Sequence, residues 1–122
     1  FKNFNDTYGH EFGDHVLKYF AEVLKSAIRQ TDVVARLAGD EFTIILTELN
    51  DPEEDVCQIC DKILSALKEV QMIEQVPITL SSSIGAAICY AGDKTSMDVL
   101  MSKADAAMYR AKEAGKGIYS IN

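Results

Sequence analysis

Residues 36–45, RLAGDEFTII, place two adjacent carboxylates, Asp40 and Glu41, directly after Ala38-Gly39 and directly before an apolar, β-branched run. Together with the preceding DVVARL, the stretch reads as a hairpin, two β-rich runs around an Ala-Gly-Asp turn. The apolar runs mark it as buried. A turn needs a Gly or an Asp for its backbone geometry and has no use for a second acid beside it. The two acids are either a solvated turn or a grip on something positive.

Helical patterns flank the hairpin on both sides. FGDHVLKYFAEVLKSAIRQ (12–30) carries Val16, Leu17, Phe20, Val23, Leu24, Ala27 and Ile28 on one stripe, an amphipathic helix that ends at Arg29. A second helix opens with Asp51 as N-cap, Pro52 at its first position and acids in its first turn. VPITLSSSIGAAICY (76–90) alternates Ile78, Leu80, Ser82, Ile84, Ala86 and Ile88, the pattern of one long strand. A third helix within residues 96–117 is stopped by Gly115 and carries Lys112 near its end, where a cation suits the helix dipole. GIYSI (117–121) reads as a short last strand.

The opening FKNFNDTYGHEFGD (1–14) has polar turn chemistry and no strand before it. The resulting order, α-β-β-α-β-α-β, predicts an α+β domain with a mainly antiparallel sheet flanked by helices. One further strand ahead of Phe1 would complete the ferredoxin-like β-α-β-β-α-β plan, so the opening strand is expected to lie outside the chain.

The 122 residues, 48% hydrophobic, suffice for one domain with a real core. No apolar run approaches a membrane span, and the net charge of −7, from 12 basic and 19 acidic residues, argues against general nucleic-acid binding. It leaves room for a nucleotide held through a metal ion, because carboxylates recruit the metal. The three cysteines, Cys57, Cys60 and Cys89, are too sparse for a disulfide framework and point to a reducing cytoplasm. Cys57 and Cys60 fall within a helical pattern with no second pair, so they read as packing rather than as a redox or zinc motif.

Four separated stretches, FKNFNDTYGHEFGD, RQTDVVARLAGDEF, SSSIGAA and ADAAMYRAKEAGKG, resemble in order and spacing the GGDEF domain of diguanylate cyclases. The resemblance implies a palm-type, nucleotidyl cyclase-like fold over residues 1–122, with its first strand absent. It implies condensation of two GTP molecules into cyclic di-GMP with release of pyrophosphate, magnesium or manganese as cofactor, and a homodimer in which two domains face each other. No nucleic acid and no membrane contact are expected of the domain itself.

By position, Asp40 matches the family's metal-ligating acid and Glu41 its neighbour, also needed for activity. Asn5 and Asp14 match the pair that reads the guanine edge. Phe1 and Lys2 match the turn that approaches the β- and γ-phosphates, Ala38 and Gly39 the glycines of the motif, and Lys112 and Lys116 the cations on the triphosphate. Arg29 and Asp32 match the R-x-x-D motif that binds cyclic di-GMP as feedback inhibitor.

Each residue also has a plainer reading. Asp14 could be a helix N-cap, the lysines a solvated helix end, and Arg29 with Asp32 a surface ion pair. His10 reads as packing or turn structure rather than as a ligand. Ala38 stands where the family motif opens with Gly, and Gly117 where the family often has Asn. The alternative activity is therefore an inactive GGDEF module that binds GTP or cyclic di-GMP as a receptor.

Overall fold

The computed structural model describes residues 2–122; Phe1 and the side chains of Lys2 and Asn3 lie outside the described residues. The chain forms two compact units. The first comprises the residues up to Leu49 with Ser65–Thr79, and the second Asn50–Leu64 with Leu80–Asn122.

The first unit is organised by a long helix, α2 (His10–Ser26), which follows a short helix, α1 (Lys2–Tyr8). Its predicted stripe faces inward: Val16, Phe20, Val23, Leu24 and Ala27 are buried and Leu17 and Ile28 half-buried, and Phe12, outside that stripe, is buried with them. Each buried Val, Leu or Phe among them contributes about 1.5–3 kcal/mol relative to exposure. The hairpin follows as β1 (Val33–Ala38) and β2 (Glu41–Ile45), antiparallel, with Phe42 packed on Phe20 at a ring separation of 5.1 Å. The end of the next helix, α3 (Pro52–Lys68), supplies buried Leu67 to the same unit. A second antiparallel hairpin, β3 (Gln71–Ile73) and β4 (Val76–Ile78), supplies buried Ile73 and Ile78.

The second unit holds the rest of α3, with Val56, Cys60 and Ile63 buried. Asp51 caps this helix, accepting from the Glu54 N–H at 3.5 Å while its own N–H donates to the Asp55 carboxylate at 3.3 Å. Helix α4 (Met97–Glu113) is capped by Ser96, whose hydroxyl accepts from the Val99 N–H at 3.2 Å. Strands β5 (Ile84–Ala86) and β6 (Tyr119–Ile121) pair in parallel, with α4 in the connection that a parallel pair requires. Gly85 lies so close to α4 that a Cβ there would stand 2.1 Å from the Ala104 carbonyl oxygen and the Met108 amide nitrogen. Ala107 and Ala111 are fully buried on the same helix.

The α+β class stands, as helices with small sheets, and four elements differ from expectation. The opening polar stretch is α1 rather than a turn. Phe4 and Tyr8 pack on Phe12 at ring separations of 5.9 and 4.6 Å, a tertiary contact that overrides the local turn signal.

The long strand of residues 76–90 is broken into β4 and β5, and no regular strand spans 79–83. Glu74 and Gln75 both adopt left-handed backbone, φ 48° and 69°, so the chain folds back at Glu74-Gln75 and β4 pairs with β3. Glu-Gln is not the Asn-Gly signal that marks such a turn.

Helix α2 ends at Ser26, three residues short of Arg29, with the Ala27 N–H turning back to the Leu24 carbonyl and the Ile28 N–H to the Lys25 carbonyl. The first hairpin is not buried: Val33, Leu37 and Ile45 are 52%, 57% and 39% exposed. Among the described residues its sheet has two strands only, and α2 covers one face through Phe20.

Candidate functional site

The tip of the first hairpin is a two-residue loop, Gly39-Asp40, closed by the pairing of Ala38 with Glu41. Gly39 takes φ +51°, the left-handed region that a side chain resists, and a Cβ built on it meets nothing within 4 Å. The register slips between Arg36 and Ala38, a bulge that raises local twist and re-aims the end of the strand. Arg36 Nε donates to the Gly39 carbonyl at 2.6 Å and braces the loop from one side.

Ala38, Gly39, Asp40 and Glu41 are all exposed. Neither carboxylate group has a hydrogen-bond or ion-pair partner among the described residues. Two unengaged carboxylates, offering oxygen donors alone, fit a hard divalent cation such as magnesium or manganese.

The junction of α1 and α2 sets Asn5 against Gly13, the residue before Asp14. Gly9, φ 94°, breaks the two helices apart while its N–H still reaches the Asn5 carbonyl at 2.9 Å. The fold-back lays the Asn5 carboxamide on Gly13: a Cβ on Gly13 would stand 1.6 Å from Asn5 Oδ1. Asp14 is the next residue along α2 and is exposed. It sits in the second turn, with Gly9 in the cap position, so the N-cap reading of Asp14 falls away. An Asp accepts two donors and an Asn amide donates, the complement of a guanine edge. His10 is exposed at the first position of α2, a turn-entry position rather than a packed one.

Arg29 and Asp32 close a tight turn between α2 and β1. Arg29 Nε and Nη2 donate to the two Asp32 oxygens at 3.1 and 3.0 Å, and the Arg29 N–H donates to Oδ2 at 2.9 Å. Nη2 also donates to the Thr47 carbonyl. The Asp32 side chain is fully buried, while Arg29 is half exposed. The hydrogen bonds from the Arg29 side chain hold the Asp32 carboxyl below its ordinary range, against the opposing cost of burial. A depression of about 310 Å³ lies beside the pair, lined by Lys25, Ile28, Arg29, Gln30, Asp32 and Val34.

Lys112 and Lys116 belong to the second unit, where α4 ends in a Schellman turn. The Lys116 N–H reaches the Ala111 carbonyl at 3.2 Å and the Gly115 N–H the Lys112 carbonyl at 3.4 Å, with Gly115 at φ 128°. Lys116 itself has φ 61°, and both lysines are exposed. The cysteines are free; Cys60 is buried, and burial pushes its thiol up to about 12. Among the described residues no helix is long and apolar enough to cross a membrane.

Sequence reading missed Gly13, Arg36 and the Thr47 carbonyl. The spacing of Gly13 from Gly9, immediately before Asp14, was the available signal for the first. The other two act through the hairpin and have none.

The structure is thus an α+β domain with two exposed, unengaged acids on a hairpin tip and with Asn5 set against the residue before Asp14. The family model described as diguanylate cyclase, GGDEF domain, matches residues 1–117. The chain belongs to the GGDEF domain family.

It is 40% identical over 119 residues to the bifunctional diguanylate cyclase/cyclic di-GMP phosphodiesterase MucR of Pseudomonas aeruginosa, covering 98% of this chain and 17% of that protein. It superimposes on the GGDEF domain of TpbB (YfiN) of Pseudomonas aeruginosa with a TM-score of 0.90 at 33% identity, covering 98% of this chain and 69% of that one. The GGDEF domain of DgcB from Caulobacter crescentus, solved in complex with c-di-GMP, gives a TM-score of 0.80 at 29% identity, with 98% and 70% coverage. The chain thus spans about a sixth of the length of MucR.

Proposed function

We propose that residues 1–122 act as one diguanylate cyclase domain that joins two GTP molecules into cyclic di-GMP. The observation that carries this is the hairpin tip: Asp40 and Glu41 are exposed, adjacent and unpartnered on a loop whose backbone geometry Gly39 already satisfies. When bound there, a divalent cation supplies charge neutralisation at the phosphates. The chain's own residues hold and orient. The carboxylates of Asp40 and Glu41 supply the oxygen donors, and Asn5, seated on Gly13, with Asp14 reads the guanine. Lys112 and Lys116 neutralise the triphosphate tail, and Phe1 and Lys2 approach it by resemblance to the family.

Phosphoryl transfer demands chiefly position and charge, so such parts suffice without a covalent intermediate. Each 3′-hydroxyl attacks the α-phosphate of the other GTP, two P–O bonds form, and two pyrophosphates leave. With one GTP per domain, the reaction needs two copies of the chain facing each other.

The test is formation of cyclic di-GMP and pyrophosphate from GTP by the full-length protein with magnesium or with manganese. Asp40→Asn is expected to abolish product while leaving the melting temperature unchanged. Product formed at the parent rate by Asp40→Asn removes the metal role.

A second activity has its own observation. The half-exposed Arg29 beside the 310 Å³ depression supports cyclic di-GMP binding at Arg29 and Asp32, with or without turnover at the hairpin. The guanidinium matches the phosphate and guanine acceptor groups of that ligand, and the buried Asp32, bonded to it through both oxygens, positions it. Calorimetry with cyclic di-GMP in the absence of GTP should show Arg29→Ala and Asp32→Ala binding roughly ten- to a hundredfold more weakly. Equal affinities would leave the pair a structural ion pair only.

A further inference from the structure

A cluster outside the residues considered so far joins helix α2 to the second hairpin. Glu11 and His15 are four residues apart on α2, a spacing that stacks two side chains on one helix face. Glu74 comes from the turn between β3 and β4, where its backbone is left-handed at φ 48°. His15 Nδ1 lies 2.6 Å from Glu74 Oε1, and one ligand atom from each of the three residues lies within 4.8 Å of the other two.

As a plain ion pair, His15 with Glu74 would leave Glu11 unexplained, a second acid turned toward the same imidazole. Three donors converging from two separate elements are the arrangement a cation resolves. The donor set also selects the cation. Magnesium prefers oxygen alone in near-ideal octahedral geometry, whereas one imidazole nitrogen with carboxylate oxygens suits zinc and the late first-row metals. Bonds of about 2.0–2.2 Å to zinc would set the three donors roughly 3.3–3.6 Å apart. The observed cluster brackets that spacing, and Glu11 and Glu74 are exposed, so rotation of two surface side chains reaches it.

We propose that Glu11, His15 and Glu74 form a binding site for zinc or a similar transition-metal ion, separate from the Asp40 and Glu41 oxygen site. The site ties the β3–β4 hairpin to the first turns of α2. Three protein ligands leave the fourth tetrahedral position to water, so binding is reversible rather than a closed structural centre. Asp14 lies on α2 between Glu11 and His15 and takes no part. Occupancy therefore stiffens the helix that carries it without competing for its carboxylate. The inference stands on these three residues and is independent of cyclase activity.

The test is titration of the metal-free, full-length protein with zinc by calorimetry, and with cobalt by visible absorption, both in excess magnesium to saturate oxygen-only sites. The parent is expected to bind one more equivalent of zinc than His15→Gln or Glu74→Gln, and to show the cobalt bands of a four-coordinate nitrogen-containing site. Glu11→Gln, a substitution on the exposed helix surface, should weaken that equivalent about tenfold or more, the loss typical of perturbing a metal's ligand environment. Zinc should raise the melting temperature of the parent and of Asp40→Asn but not of His15→Gln. Equal zinc stoichiometry and equal cobalt spectra in parent, His15→Gln and Glu74→Gln would overturn the proposal, as would zinc stabilisation that survives both substitutions.

Discussion

Asp32 and Asp40 stand just outside the two ends of strand β1, and the fold treats them in opposite ways. Asp32 is fully buried, grips the Arg29 guanidinium through both oxygens and accepts the Arg29 N–H as well. Asp40 is exposed and carries no hydrogen bond or ion pair from the described residues on its carboxylate. A buried charge is tolerated only when paired and hydrogen-bonded, so Asp32 is committed to holding the turn between α2 and β1 together. An exposed charge on a loop that does not need it is available to a ligand. The same side chain is structural at one end of the strand and chemical at the other, and burial with its hydrogen bonds marks the difference.

Crossed substitutions at the two positions make the largest break in this comparison. Asp40→Ala should reduce cyclic di-GMP formation on the order of a hundredfold or more, because cation binding at the phosphates contributes several kcal/mol to the transition state. Its melting temperature should stay within a degree or so of the parent, as befits an exposed loop residue. Asp32→Ala should do the reverse to stability. Losing charge-assisted hydrogen bonds to a half-exposed Arg29 should cost about 1–2 kcal/mol, read as a fall of several degrees in melting temperature. If Asp40→Ala melts early and Asp32→Ala does not, the two roles have been assigned the wrong way round.

A smaller effect is expected at Gly13. A methyl there must displace the Asn5 carboxamide, and the displaced group is the far end of a flexible side chain. Gly13→Ala should therefore raise KM for GTP about tenfold, the value of one good base contact, with kcat less affected. An unchanged KM would show that Asn5 takes no part in binding the base.

The acid limb of stability sharpens the comparison further. The Asp32 carboxyl titrates below its ordinary range when folded, so its contribution is present in full above about pH 4, the unfolded value. It is lost as the pH falls through the lower folded value. The stability gap between the parent and Asp32→Asn should be wide at neutral pH and narrow toward pH 3, as followed by urea unfolding.

The smallest effect concerns the thiols. A short exposure to iodoacetamide should label exposed Cys89 and spare Cys60, whose thiol is held neutral by burial, with no loss of turnover.

Much of this was legible along the chain because it depends on neighbours in sequence. The α2 stripe from Val16 to Ala27, the Asp51-Pro52 opening of α3 and the Gly115 stop of α4 are short-range rules, and each appears as expected. So does the Gly39-Asp40 tip, where only a left-handed backbone closes the loop. The α1 helix was not legible, because Phe12 holds it from outside the segment. Nor was the β3–β4 turn, because Glu74 and Gln75 take a backbone conformation their side chains do not favour.

By itself, then, the sequence determined the family, the register of its motifs, and the helices whose caps and stripes are local. The tertiary structure alone decided which acids are free. Read along the chain, Asp32 is an inhibitor contact or an ion-pair partner of Arg29 and Asp40 a metal ligand or a solvated turn, and nothing links Glu11, His15 and Glu74. Burial and the convergence of side chains from distant elements separate them, and these depend on how the chain packs in space, which no spacing along it encodes.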